Sequence, residues 1–114
     1  MEEKKMEKEK ELMGQKPDAV DFMVVKLSKP YQFEGETFTE IDLNKLEDLT
    51  GADMISINRM MKKRGNTDAS PEITMEFAFF AAYHASKIPL EFFYQLNMKD
   101  AMRIKTRVNY FLMY

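Results

Sequence analysis

The chain has no cysteine and no tryptophan, one histidine, and only four glycines and four prolines in 114 residues. Without cysteine there is no disulfide framework, no thiol nucleophile and no thiolate-held metal. No apolar run is long enough to cross a bilayer and none near the start has the form of a secretion signal, so a cytoplasmic protein without a membrane partner is expected. Gly14, Gly35, Gly51 and Gly65 stand alone, so no glycine-rich loop cradles a phosphate. The net charge of −2 falls far short of the basic excess usual in DNA-binding domains.

Chemistry is scarce as well. His84 lies within an apolar stretch with no acid at metal-ligand spacing, which makes it a packing residue with hydrogen-bonded nitrogens. Ser28, Ser56, Ser70 and Ser86 lack a nucleophile-elbow context, and with one histidine they have no base near in sequence. Glu34/Glu36 and Glu47/Asp48 fall in turns and loops, where carboxylates are normally solvated. Basic residues cluster in Met61–Arg64 and Arg103–Arg107 at or along helices, where they read as solvated surface. No enzyme, cofactor or metal is expected. A small DNA-binding regulator, using the helix after Gly51 or the Arg103/Arg107 row, is the alternative from another class.

What the chain does have is 45% apolar and 32% charged residues, the balance of one globular domain. Charge is unevenly placed: residues 1–53 hold 14 acids and 8 lysines, whereas 54–114 hold 5 acids and 9 Lys and Arg. Opposite halves of this kind admit head-to-tail self-association or, in the basic half, a polyanion contact, and equally a solvated surface. Eleven methionines supply adaptable side chains for a core or a binding surface.

The stretch from Ser70 to Pro89 predicts the central helix. Ser70 is a candidate N-cap, Pro71 suits the first helical position, Glu72 and Glu76 favour the positive end of the dipole, and Lys87 and Pro89 mark the stop. At about 100° per residue Ile73, Phe77, Phe80, Ala81, His84 and Ile88 share one face, widened by Ala78, Ala82 and Ala85. Phe79 and Tyr83 stand on another side, with Glu72 and Glu76.

Around this helix the remaining segments arrange in order. Residues 1–13, nearly all Glu and Lys, have no apolar stripe and predict a frayed or disordered arm ended by Gly14–Pro17. Phe22–Leu27 and Glu36–Leu43 flank a Gly35 turn and predict a β-hairpin. A two-residue loop sets Tyr31 opposite Phe38 and Lys29 opposite Glu40, a four-residue loop pairs Phe33 with Phe38, and the sequence leaves both open. Pro30, with no N–H to give, calls for an edge or a bulge.

Thr50 and Asp53 have the spacing of a capping box, with Leu49 placed to staple onto Met54. The helix they open runs to Arg64 before Gly65, with Met54, Ile57 and Met61 inward. Leu90, Phe92, Phe93 and Leu96 suggest a short helical turn capping the core. Asn97 and Asp100 repeat the cap spacing and open a last helix with Ala101, Ile104, Val108, Phe111 and Leu112 inward. On that helix Arg103, Arg107, Tyr110 and Tyr114 form a second row, and Met98, Met102 and Met113 a third.

The expected fold is therefore α+β, mostly α. An N-terminal β-hairpin over 22–43 is followed by a small bundle of three to four helices at about 51–64, 71–87, 89–96 and 98–113. Residues 1–17 form the charged arm and 18–114 a single domain.

Three stretches taken together, Leu27–Leu43 (LSKPYQFEGETFTEIDL), Leu46–Met54 (LEDLTGADM) and Leu96–Leu112 (LNMKDAMRIKTRVNYFL), resemble the tail assembly chaperone family of long-tailed bacteriophages over about residues 24–113. The resemblance implies a non-enzymatic protein of the host cytoplasm that is absent from the mature virion. Such a protein binds the tape measure protein and keeps it soluble while tail tube protein polymerises around it, and a longer product often arises by ribosomal frameshifting. A tail structural subunit is a further alternative. The family supplies no catalytic or binding residues to carry over.

The residues themselves nominate Phe79, Tyr83, Met98, Met102, Tyr110, Met113 and Tyr114 as a partner-binding set, being apolar side chains with no evident task inside the fold. A homo-oligomer is expected, with no nucleic acid bound.

Overall fold

The computed structural model describes residues 22–114, and the charged arm expected over 1–17 lies outside these described residues. Strand β1 (Val24–Phe33) and strand β2 (Glu36–Asp42) form a two-stranded antiparallel hairpin. Four helices follow: α1 (Gly51–Lys63), α2 (Met75–Ser86), α3 (Leu90–Tyr94) and α4 (Met98–Met113). Two 3-10 turns, Asn44–Asp48 and Pro71–Ile73, precede α1 and α2.

Tyr31 pairs with Phe38, Gln32 with Thr37 and Phe33 with Glu36, so the hairpin loop is the two residues Glu34 and Gly35. Both have positive φ, 45° and 81°, as a tight turn that continues the strand twist requires. The expected pairing of Lys29 with Glu40 does not occur. Lys26 lies opposite Glu40 instead, because Leu27 to Pro30 stand across from Thr39 alone. The bulge foreseen from Pro30 is thus several residues wide. It turns the base of the hairpin, so that Val25 and Ile41 are wholly buried while Tyr31 is the buried residue nearer the tip.

Helix α1 opens with a closed capping box: the Thr50 N–H donates to Asp53 Oδ2 at 2.8 Å and the Asp53 N–H donates to Thr50 Oγ1 at 3.3 Å. These bonds to Thr50 hold the Asp53 carboxyl below the ordinary carboxylate range. Thr50→Ala is expected to lower stability by about 1 kcal/mol, read as a shift of the urea midpoint. No shift would mean that the cap is replaced by water at no cost. The helix ends as a Schellman turn, with Gly65 at φ 95°, its N–H donating to Lys62 O and that of Asn66 to Met61 O, both at 2.9 Å.

The start of α2 differs from expectation. Ser70 makes no side-chain cap, and Pro71–Ile73 forms a 3-10 turn. The helix begins at Met75, with Thr74 Oγ1 accepting from the Phe77 N–H at 3.2 Å and donating to Pro71 O at 2.7 Å. Two start signals, Ser-Pro-Glu and Thr-Met-Glu, compete here, and the extended backbone of Thr74 breaks the helix between them. Ile73 therefore leaves the inner face and is exposed. From Phe77 onward α2 is buried on most sides, including Phe77, Phe79, Phe80 and the four alanines Ala78, Ala81, Ala82 and Ala85. It contacts α1, α3, α4, both 3-10 turns and β2, which makes it the centre around which the other elements pack.

Helix α3 buries Phe92 and Phe93 completely. Helix α4 has the expected bounds, with Asn97 Oδ1 accepting from the Asp100 N–H at 2.8 Å. Ala101, Ile104 and Val108 are buried and Phe111 is half-buried. Leu112, assigned to the core by its spacing, is 38% exposed, because it lines a cleft left open between α1, α2 and the end of α4.

Candidate functional site

Helix α4 is sixteen residues long and packs on α2 and β1, which use only part of its circumference. At about 100° per residue, Met98, Met102 and Met113 fall within about 60° of one another on the side opposite Ile104 and Val108. They are exposed, Met98 by 84% and Met113 by 70%. Tyr110 and Tyr114 flank this stripe on one side, their rings 4.9 Å apart, and Leu112 flanks it on the other. The last helix thus carries six exposed apolar side chains, Met98, Met102, Tyr110, Leu112, Met113 and Tyr114.

Of the nominated set, the structure brings together the five on α4. Tyr83 is exposed, with its ring against the edge of half-buried His84 at 5.1 Å, but it lies on α2, one turn beyond Phe79. That side of α2 meets α3, not the outer face of α4, so Tyr83 and the methionine stripe are separate surfaces. Tyr110, though 50% exposed, packs its ring on Phe22 at 4.7 Å, and Phe79 has a fuller task inside the fold: it is 5% exposed and packs on Phe93 at 6.0 Å and Tyr94 at 5.4 Å. Its burial depends on the docking of α3, which the spacing within α2 does not reveal.

A cleft of about 170 Å³ opens beside the end of α4, walled by Leu49, Met54, Ile57, Phe77, Phe111 and Leu112 among others. Sequence reasoning placed Phe111 and Leu112 in the core and missed it. No local signal marks it, because the gap depends on how α1, α2 and the end of α4 pack against one another.

The most developed polar arrangement is a clasp between the hairpin and the start of α4. Asp100 is wholly buried. Its carboxylate accepts from the Ser28 N–H at 3.0 and 3.1 Å, from the Ser28 hydroxyl at 2.8 Å, from the Tyr31 hydroxyl at 2.8 Å and from Arg103 Nη1 at 3.3 Å. Arg103 also donates to Lys26 O at 3.0 Å, and the Asn97 N–H donates to the Tyr31 hydroxyl at 3.1 Å. The capping box expected at Asn97 is therefore half-made. Asp100 turns away from the Asn97 N–H towards the hairpin, and the Tyr31 oxygen takes the place that it leaves.

Burial alone would raise the Asp100 carboxyl, but the bonds from Tyr31 and Ser28 and the Arg103 charge outweigh it and hold it below the ordinary range. Burial and the adjacent carboxylate push the Tyr31 phenol upward. The bulge has its explanation here: the extra residues of β1 carry Ser28 to the carboxylate.

The arginines of both basic runs are engaged within the fold. Arg64 pairs with Glu76 at 3.5 Å and lies over the Phe80 and Tyr94 rings, while Arg107 lies over Phe22 at 5.0 Å. Burial and the nearby Arg103 lower the Arg107 pKa. Among the described residues no group of His, Asp and Glu is placed to hold a metal ion, and no helix is long and apolar enough to cross a membrane.

A clasped hairpin on a small helical bundle, with apolar side chains exposed along one helix, has the features of a binding module. The sequence pattern of the family described as phage tail assembly chaperone proteins, E, or 41 or 14, matches residues 24–113, and the chain belongs to that family. The family is non-enzymatic and its partners are tail proteins. The chain matches no curated protein and no solved structure. Two of the three stretches that carry the family likeness meet in the clasp: one brings Ser28 and Tyr31, the other Asn97, Asp100 and Arg103.

Proposed function

We propose that this chaperone binds the tape measure protein during tail morphogenesis and keeps it soluble while tail tube protein assembles around it. The observation that carries the reading is the outer face of α4, where Met98, Met102 and Met113 lie exposed opposite the core with Tyr110 and Tyr114 beside them. A helical client presents apolar anchors at i, i+3, i+4 and i+7, and flexible thioethers and amphipathic rings can adapt to them. Residues 18–114 act as one chaperone domain in the host cytoplasm, leave before the virion is complete, and share the work with a frameshifted longer product where one is made. Nucleic acid is not a partner in this reading. Tyr83 is at most a secondary contact, and Phe79, buried against α3, is not part of the surface.

Co-expression with the tape measure protein of the same phage tests the assignment, and absence of a soluble complex removes it. Met102, Tyr110 and Tyr114 changed together to serine are expected to weaken the complex by at least about 100-fold, since buried aromatic anchors each contribute more than about 1 kcal/mol. The far-UV circular dichroism should stay that of the unaltered chain. An intact complex with the triple variant would leave the client in place and move the site elsewhere.

A further inference from the structure

The cleft between α1, α2 and the end of α4 reaches down to the core. Ile57, Phe77, Ala81 and Val108 line it and are each at most 3% exposed, and Ala81 brings only a methyl group to the space. Half-buried Leu49, Met54 and Phe111 form its walls together with Leu112. Its volume of about 170 Å³ suits one large apolar group, since a cavity of about 150 Å³ lined by such side chains stays dry and takes benzene. Leu112 is also the residue that flanks the methionine stripe, so the mouth of the cleft is continuous with the outer face of α4.

Two polar side chains line the cleft, Thr50 and Asp53. Thr50 Oγ1 and Asp53 Oδ2 are both taken up by the capping box, so nothing on the lining calls for water inside. Asp53 Oδ1 has no hydrogen-bond partner among the described residues, and this carboxylate is the one charge on the lining. The surface therefore suits an apolar guest with a positive charge beside it.

We infer that the cleft is a socket for one side chain of leucine or phenylalanine size on the client helix, with a lysine or arginine one turn away on that helix meeting Asp53. The inference rests on the client reading above and adds selectivity to it. Residues three or four apart share a helix face, so a client laid along α4 meets the stripe with most of its anchors and the socket with the one nearest Leu112. Methionines adapt to many apolar faces, whereas a bounded cleft is left unfilled by a small side chain and desolvates a polar one at a cost.

Gly51 gives a way to close the socket without disturbing the core. It lines the cleft at the first position of α1, outside the left-handed region, and a Cβ there would meet no atom within 4 Å. Gly51→Leu is expected to keep or raise the urea midpoint, because glycine is the poorer helix residue. Its complex with the tape measure protein should weaken at least about tenfold, the effect of losing one apolar anchor. Toluene probes the cleft without the client. In the methionine-methyl-labelled full chain it should shift the Met54 methyl resonance more than those of Met98 and Met113, and in Gly51→Leu that shift should vanish.

Unchanged affinity in a stable Gly51→Leu chain, or a Met54 methyl that toluene does not move, would overturn the socket and leave the client reading in place. A Met54 methyl opened to toluene only by dilution, or only by Leu12→Ser/Met13→Ser, would give the cleft to a second copy or to the chain's own arm, which also overturns it. Should Gly51→Leu lose stability, the response of the unaltered chain to toluene still carries the test. If the unaltered chain forms no complex, the client reading falls, and toluene alone decides whether the cleft takes an apolar side chain.

Discussion

Asp100→Ala is expected to lower the folding stability by about 3–5 kcal/mol, the cost of deleting one partner from a buried charged network. The wholly buried carboxylate satisfies the Ser28 N–H and hydroxyl, the Tyr31 hydroxyl and part of Arg103. Each buried donor left without an acceptor costs about 1–3 kcal/mol. Arg103 adds less, because its side chain is 40% exposed and water can replace the lost partner. Against a typical total of about 5–15 kcal/mol, such a loss leaves the hairpin poorly held. Asp100→Asn keeps the shape and one acceptor oxygen but turns an NH₂ towards the same donors, and should fall between the two.

Urea midpoints at pH 7 measure both, and a loss below about 1 kcal/mol for the alanine variant would show that water or neighbouring groups take over the clasp. The pH dependence has a definite sign. The folded carboxyl is held below its ordinary value, so its stabilisation is fully present above about pH 4 and is lost as pH falls through the folded value. In Asp100→Asn that part of the acid destabilisation should be missing.

Phe92→Ala is expected to cost a similar amount, about 3–5 kcal/mol, for an apolar reason. Phe92 is wholly buried, with its ring centre 5.9 Å from Tyr31, 5.7 Å from Phe33, 4.9 Å from Phe38 and 5.4 Å from Phe93. Three of these rings belong to the hairpin and one to α3, so this side chain joins the sheet to the helices. A short two-stranded hairpin has marginal stability alone, and deleting its helical contact leaves a cavity that cannot collapse without moving the strands.

Phe92→Leu, which refills much of the volume, should recover more than half of the loss. Combining Phe92→Ala with Phe38→Ala should cost less than the separate losses together, because the two rings share one contact. Full additivity in the urea midpoints would show that Phe38 and Phe92 are not packed on each other in solution.

These two clusters also mark where sequence reasoning ended. The bounds of α4 were legible because Asn97, the apolar period and the length all point the same way, and the two-residue loop was one of two readings open at Gly35. The base of the hairpin was not. Its register depends on Ser28 reaching Asp100, a partner 72 residues away, and no local pattern records such a contact. Asp100 itself fitted a local motif so well that its long-range role was hidden. At α2 two valid start signals lay four residues apart, and packing chose the second.

The exposed residues of the candidate surface were legible on α4, where the methionine row stands opposite the apolar face. Phe79 was misread because a helix wheel shows which side a residue faces but not that α3 returns to cover it. Leu112 was misread in the opposite sense, since the wheel places it on the apolar face but does not show that α1 and α2 leave a cleft open there.

The wide bulge of β1 also has a meaning in time. On the ribosome Ser28 emerges 72 residues ahead of Asp100, which at about 5–20 residues per second is an interval of about 4–14 s. The turn at Glu34 and Gly35 needs only its neighbours and can close at once, but the strand below it has no fixed pairing until the start of α4 arrives. A nascent chain halted before Asn97 therefore lacks more than its last helix: it holds a hairpin with a set tip and an unset base, and the strands made before α1 are finished only when α4 begins.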